Sequence, residues 1–76
     1  MNKQDALLKI VKKVGSQAEL ARRIGVGRNY VNNMIKGRDE ISARLVRKLV
    51  DISEGEVTEQ DLRPDIFYNK NHKKTT

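Results

Sequence analysis

The chain has no cysteine. Neither a disulfide nor a thiolate metal site can staple its fold, so stability must come from packing. It has no tryptophan and a single proline, Pro64. Its aromatic residues are Tyr30, Phe67 and Tyr68 alone, too few for a sheet that stacks RNA bases on rings. No apolar run approaches the ~20 residues of a membrane span. The start, MNKQDALLKIVKK, lacks the sustained apolar stretch of an export signal, so a cytoplasmic protein is expected. His72 is the single histidine and stands in a polar tail, with no nucleophile or acid fixed beside it. A glycine-rich phosphate loop is absent, and the carboxylates lack an apolar pocket to shift their pKa values. No catalysis, cofactor or metal is expected. At 76 residues the chain makes one domain with a small core.

What is abundant is charge, unevenly spread. The net charge is +6. From Leu20 to Arg38 there are five cations (Arg22, Arg23, Arg28, Lys36, Arg38) and no acid. From Asp51 to Asp65 lie six of the ten acids. Such a dipolar chain is suited to approach a polyanion with one face. Charge runs are most often solvated helix faces, which is enough to explain Lys12 and Lys13. It explains an acid-free stretch across two consecutive helices less well.

Periodicity and capping signals predict an all-α domain of four to five helices. The first helix spans about Lys3 to Val14, with Asn2 as N-cap and a buried stripe of Ala6, Leu7, Ile10, Val11 and Val14. The second spans about Gln17 to Ile24. Ser16 and Glu19 form the S-x-x-E pattern of a capping box. Leu20, Ala21 and Ile24 give it one apolar face, and Gly25 ends it. The third spans about Arg28 to Lys36, with Val31, Met34 and Ile35 inward and Gly37 as terminator. Two helices joined by so tight a turn form a helix-turn-helix, in which Ala21 sits where the helices cross. The fourth spans about Ser42 to Ser53, with Leu45, Leu49 and Ile52 on one face, Val46 and Val50 beside them, and Gly55 at its end. Thr58 caps a single turn through Asp61 and Leu62. Pro64 pushes Arg63 towards an extended conformation. Ile66 and Phe67 are expected to fold back onto the bundle. Residues 1–68 form the domain, and 69–76 are expected to be a disordered basic tail.

The third helix breaks its own local rules. Arg28 stands in its first turn, where a cation opposes the helix dipole. Asn29, Asn32 and Asn33 are weak helix formers. Such conflicts tend to mark functional positions. In the major groove, arginine pairs bidentately with guanine and asparagine with adenine. Arg28, Asn29, Asn32 and Asn33 are therefore candidate base-reading residues, and Lys36 a candidate phosphate contact. Tyr30 has two open readings: its ring packs beside the core, or its hydroxyl lies on a phosphate. One recognition helix reads few base pairs, so a weak homodimer that becomes cooperative on DNA is expected. Val46, Val50, Ile66 and Phe67 are candidates for its contact surface.

Ser16 to Gly37 resembles the helix-turn-helix of phage Cro and repressor proteins, of the lambda-repressor-like fold. The resemblance rests on Gln17 at the motif start, Ala21 at the crossing, Gly25 at the turn, and Val31 and Met34 in the second motif helix. The later VTEQDLRPDIF, Val57 to Phe67, is similar to the C-terminal signature of the Cro-like YdaS branch, whose members have been described as antitoxins. The resemblance implies a Cro-type prophage repressor that occupies a double-stranded operator. It implies phosphate contacts for Gln17, Lys36 and Arg38, and base contacts for Arg28, Asn29, Asn32 and Asn33. It also carries an alternative, an antitoxin that binds a toxin protein and regulates its own operon, with the acidic segment as docking surface. Gly27 departs from the pattern, since many relatives have a hydroxyl residue there.

Overall fold

The computed structural model describes residues 2–67. Five helices follow one another: α1 Lys3–Val14, α2 Gln17–Ile24, α3 Arg28–Lys36, α4 Ala43–Ser53 and α5 Glu59–Leu62. There is no strand among the described residues. The expected tail at 69–76, with His72, lies outside them. None of the helices is long and apolar enough to cross a membrane.

Local chemistry sets most of the boundaries. Asn2, Ser16, Ser42 and Thr58 each accept a hydrogen bond from the third backbone N–H of the helix that follows. α2 ends at Gly25, which takes the left-handed conformation at φ 78°. The Ala21 carbonyl then accepts both the Gly25 and Val26 N–H groups, and Val26 packs partly against the core. α3 ends in the same way at Gly37, φ 82°. The Gly37 N–H reaches the Met34 carbonyl and the Arg38 N–H reaches that of Asn33, the Schellman pairing that satisfies the last carbonyls of a helix.

α2 and α3 pack against each other, α1 lies across both, and α4 and α5 close the bundle on α1. The core holds Leu7, Ile10, Leu20, Ala21, Ile24, Val31, Met34, Ile41, Leu45, Val46, Leu49, Val57 and Leu62. Every apolar position expected to face inward on α2 and α3 is buried. Val11 and Val14 are only partly covered.

Three expectations need correction. α4 is ended by Glu54 rather than Gly55, since Glu54 itself adopts the left-handed conformation at φ 57°. Val46 is fully buried, so it cannot serve as a contact surface between copies. Phe67 does fold back against the core, but Ile66 remains 45% exposed, because the turn that returns Phe67 points its neighbour outwards. Leu8 on α1 is equally exposed.

Two polar residues tie the C-terminal part together. Ser53 is buried; its hydroxyl donates to the Val50 carbonyl at 2.7 Å and accepts from the Val57 N–H at 3.1 Å. Thr58 and Asp61 form a reciprocal capping box. Nothing in the sequence pattern marks Ser53, whose neighbours in space come from two different segments.

Candidate nucleic-acid interface

The candidate surface is built on α2, α3 and the segment that follows. α3 keeps Val31, Met34 and Ile35 buried, and this fixes which way its other side chains point. Arg28, Asn29 and Lys36 are exposed, and Asn32 and Asn33 are half-buried. Side-chain amides pinned at their base in this way keep polar ends for a partner while losing little freedom. Gln17 is half-buried at the first position of α2, and Arg38 is exposed just beyond α3.

The helix starts also offer donors. Ser16 satisfies the Glu19 N–H, while the N–H groups of Gln17 and Ala18 have no partner among the described residues. Gly27 provides no side-chain cap to α3. The N–H groups of Arg28 and Asn29 are likewise without a partner. Such groups bind anions readily, phosphate oxygens among them.

The capping box expected at α2 is only half formed. The Glu19 carboxylate turns away and is held by Arg22 and Arg23, the latter at 2.8 Å. Arg22, and then Arg23, lower the Glu19 pKa to about 2. Arg22 and Arg23, two of the five cations in the acid-free stretch, thereby share one acid that lies one residue outside it, which offsets one of their two charges. Among the described residues Arg28, Lys36 and Arg38 have no ion pair.

The acidic segment is spent in the same manner. Glu56 pairs with Lys13 at 3.0 Å and Lys9 at 4.0 Å, and Glu54 with Lys13 at 3.4 Å. Lys13 holds the Glu56 carboxyl below its ordinary range, and in turn titrates higher than a free lysine. Glu59 faces Arg47 at 3.9 Å. Asp65 receives both Nε and Nη2 of Arg63, at 2.9 and 2.6 Å, which brings its pKa to about 2. Sequence-distant acids thus pair with Lys9 and Lys13 of α1, and among the described residues the cations without an ion pair lie around α3 and at Lys12, Arg44 and Lys48.

The ring of Tyr30 is partly buried against the core, and its hydroxyl donates to the Glu40 carbonyl at 3.1 Å. A shallow concavity of about 610 Å³ is lined by Lys3, Glu40, Arg63 and Asp65 among others, and by no residue of α3.

Comparison with known proteins agrees with this architecture. The family model described as bacterial toxin YdaS matches residues 7–71. A prophage transcriptional regulatory protein of Escherichia coli K12 is 37% identical over 51 residues, covering 67% of this chain and 77% of the relative. The YdaS protein of the same strain is 40% identical over 56 residues, 74% of this chain and 57% of that protein. Among solved structures, the Cro protein of the prophage element Xfaso 1 of Xylella fastidiosa strain Ann-1 superposes with a TM-score of 0.76 at 29% identity. That match covers 91% of this chain and all of the Cro chain. The helix-turn-helix and the C-terminal signature lie inside the matched region, and the chain belongs to the YdaS family of Cro-like proteins.

Proposed function

We propose that this protein is a sequence-specific transcriptional regulator of the Cro type, probing double-stranded DNA with α3 in the major groove. Arg28, Asn29, Asn32 and Asn33 read base edges. Gln17, with the N–H groups at the start of α2, and Lys36 and Arg38 beyond α3 hold the phosphate backbone. Tyr30 fixes the backbone behind α3 rather than touching DNA. Repression follows from occupying an operator that overlaps a promoter, in the cytoplasm, without chemistry or cofactor. The observation that carries this reading is the pattern of ion pairing. Among the described residues Lys3, Lys9, Lys13, Arg47 and Arg63 each face an acid and Arg22 and Arg23 share one, whereas Arg28, Lys36 and Arg38 around α3 face none, as do Lys12, Arg44 and Lys48 elsewhere.

A single α3 covers too few base pairs to find one site in a genome. Two copies on half-sites about 34–36 Å apart supply the missing selectivity. Weak self-association through the exposed Ile66, with the partly buried Phe67 and Val50 as further candidates, gives a dimer that becomes cooperative on DNA. The antitoxin alternative relied on the acidic segment as a docking surface. Glu54, Glu56, Glu59 and Asp65 are instead engaged with cations of the same chain, which favours the regulator.

Selection from a random duplex library tests the function. An enriched two-fold symmetric site is expected. Recovery of no preferred duplex would reject it.

A further inference from the structure

The segment 37–42, behind α3, carries Arg38 and is fastened at three points. At its start the Gly37 N–H reaches the Met34 carbonyl, and the Arg38 and Asp39 N–H groups both reach the Asn33 carbonyl, at 2.8 and 3.3 Å. The Glu40 carbonyl accepts the Tyr30 hydroxyl, while the Glu40 carboxylate meets Lys3 at 3.0 Å. The far end is held by a residue 22 positions away: Arg63 Nη1 donates to the Ile41 carbonyl at 2.6 Å. Ile41 itself is fully buried.

Arg63 is also the centre of the C-terminal turn. Its backbone N–H reaches the Glu59 carbonyl at 2.9 Å, and its own carbonyl accepts the N–H groups of Ile66 and Phe67. Asp65 grips the other edge of the guanidinium. The side chain is only 15% exposed, so this charged fork is poorly screened and fixed in direction. One residue therefore joins the C-terminal turn to the segment that presents Arg38.

We propose that Arg63 is a positioning residue for DNA binding: by clamping the Ile41 carbonyl it pre-organises segment 37–42, so that Arg38 and the end of α3 meet the phosphate backbone together. The inference rests on the DNA-reading function above. A segment already ordered in the free protein loses little freedom on binding, and the phosphate contact is correspondingly tighter. Lysine can donate to the Ile41 carbonyl or to Asp65, but it cannot reproduce the fork that holds both. Asparagine at 65 keeps the shape and removes the charge that orients the fork.

The test uses the full chain and the duplex enriched by selection. Arg63→Lys, Asp65→Asn, Arg38→Ala and the double variants are titrated over a range of salt, with thermal melts to establish folding. Arg63→Lys is expected to weaken binding roughly threefold to thirtyfold. It should reduce the salt slope by up to about one phosphate's worth. In the Arg38→Ala background it should have almost no further effect. Asp65→Asn should act in the same direction but less strongly, and carries the test if Arg63→Lys does not fold. An unchanged slope, or an equal loss with and without Arg38, would overturn the positioning role, since a purely structural residue weakens both backgrounds alike. Failure of the wild-type protein to bind any selected duplex would instead reject the function itself, before any variant is compared.

Discussion

Ser53 shows how much one hydroxyl can hold. It is buried where α4 ends, donating to Val50 and accepting the Val57 N–H. Ser53→Ala leaves that N–H buried and unpaired, at a cost of about 1–3 kcal/mol. In a domain of this size that lowers the melting midpoint by roughly 4–8 °C per kcal/mol, read directly in a thermal melt. An unchanged midpoint would show that the Val57 N–H finds water instead. Tyr30 and Arg63 are illegible in the sequence because their partners, Glu40 and Ile41, lie 10 and 22 residues away; Ser53 bonds only three and four residues away, but a serine at a helix end carries no pattern that marks it as buried. Arg28, Asn29, Asn32 and Asn33 could be singled out because the signal there is local, a cation in the first turn and three weak helix formers inside an otherwise well-marked helix.

At the scale of elements, all five helices could be read from the sequence, because caps and stripes are encoded within a few residues. The exception at the end of α4 has a local cause too: Glu54 accepts a conformation that glycine would adopt more cheaply. α3 is the helix with the weakest start. Gly27 has an extended backbone, φ −77° and ψ 155°, which any residue can adopt. Nothing lies within 4 Å of a Cβ placed there. Gly27→Ser should therefore raise stability by about 0.5–1 kcal/mol, through a side-chain cap and a less flexible unfolded chain. A chemical denaturation curve checks this, and a fall in stability would mean that α3 starts differently.

α2 carries an acid dependence. The Glu19 pKa is lowered from its ordinary 4.5 to about 2 in the folded chain, held down by Arg22 and then Arg23. A group with a lowered folded pKa stabilises the protein above its unfolded value, and that contribution disappears as pH falls through the folded one. The Glu19–arginine cluster should thus support the fold fully above about pH 4.5 and lose its effect by about pH 2. Glu19→Gln should be less stable than wild type at neutral pH and nearly equal to it near pH 2. Melts at several pH values reveal this; a constant difference across the range would show that the carboxylate charge is not involved.

For the whole molecule, the distribution of charge becomes intelligible only once the chain is folded. The sequence suggests a basic half and an acidic half. The fold brings Glu54 and Glu56 against Lys13, 43 residues from Glu56, and Glu40 against Lys3, 37 residues away. Such pairs cannot be seen in a linear pattern, and neither could the burial of Val46. Among the described residues the large apolar side chains left exposed are Leu8 and Ile66, each 45% exposed. The protein should be monomeric when dilute and bind a full operator more tightly than two independent half-sites. Ile66→Ser should abolish that cooperativity and leave half-site affinity unchanged. Mass against concentration, with titrations of full and half sites, measures both; equal affinity per half-site in wild type would remove the dimer.

The identity of the reading helix is tested most directly by titrating the selected operator and a scrambled duplex with wild type and with Arg28→Ala, Asn32→Ala and Asn33→Ala. Each substitution should weaken operator binding by about 1–3 kcal/mol and leave affinity for the scrambled duplex nearly unchanged for the asparagines. Melting midpoints should hold or rise, because alanine is the better helix former. Operator affinity that survives all three single substitutions would contradict the assignment of α3 as the helix that reads DNA.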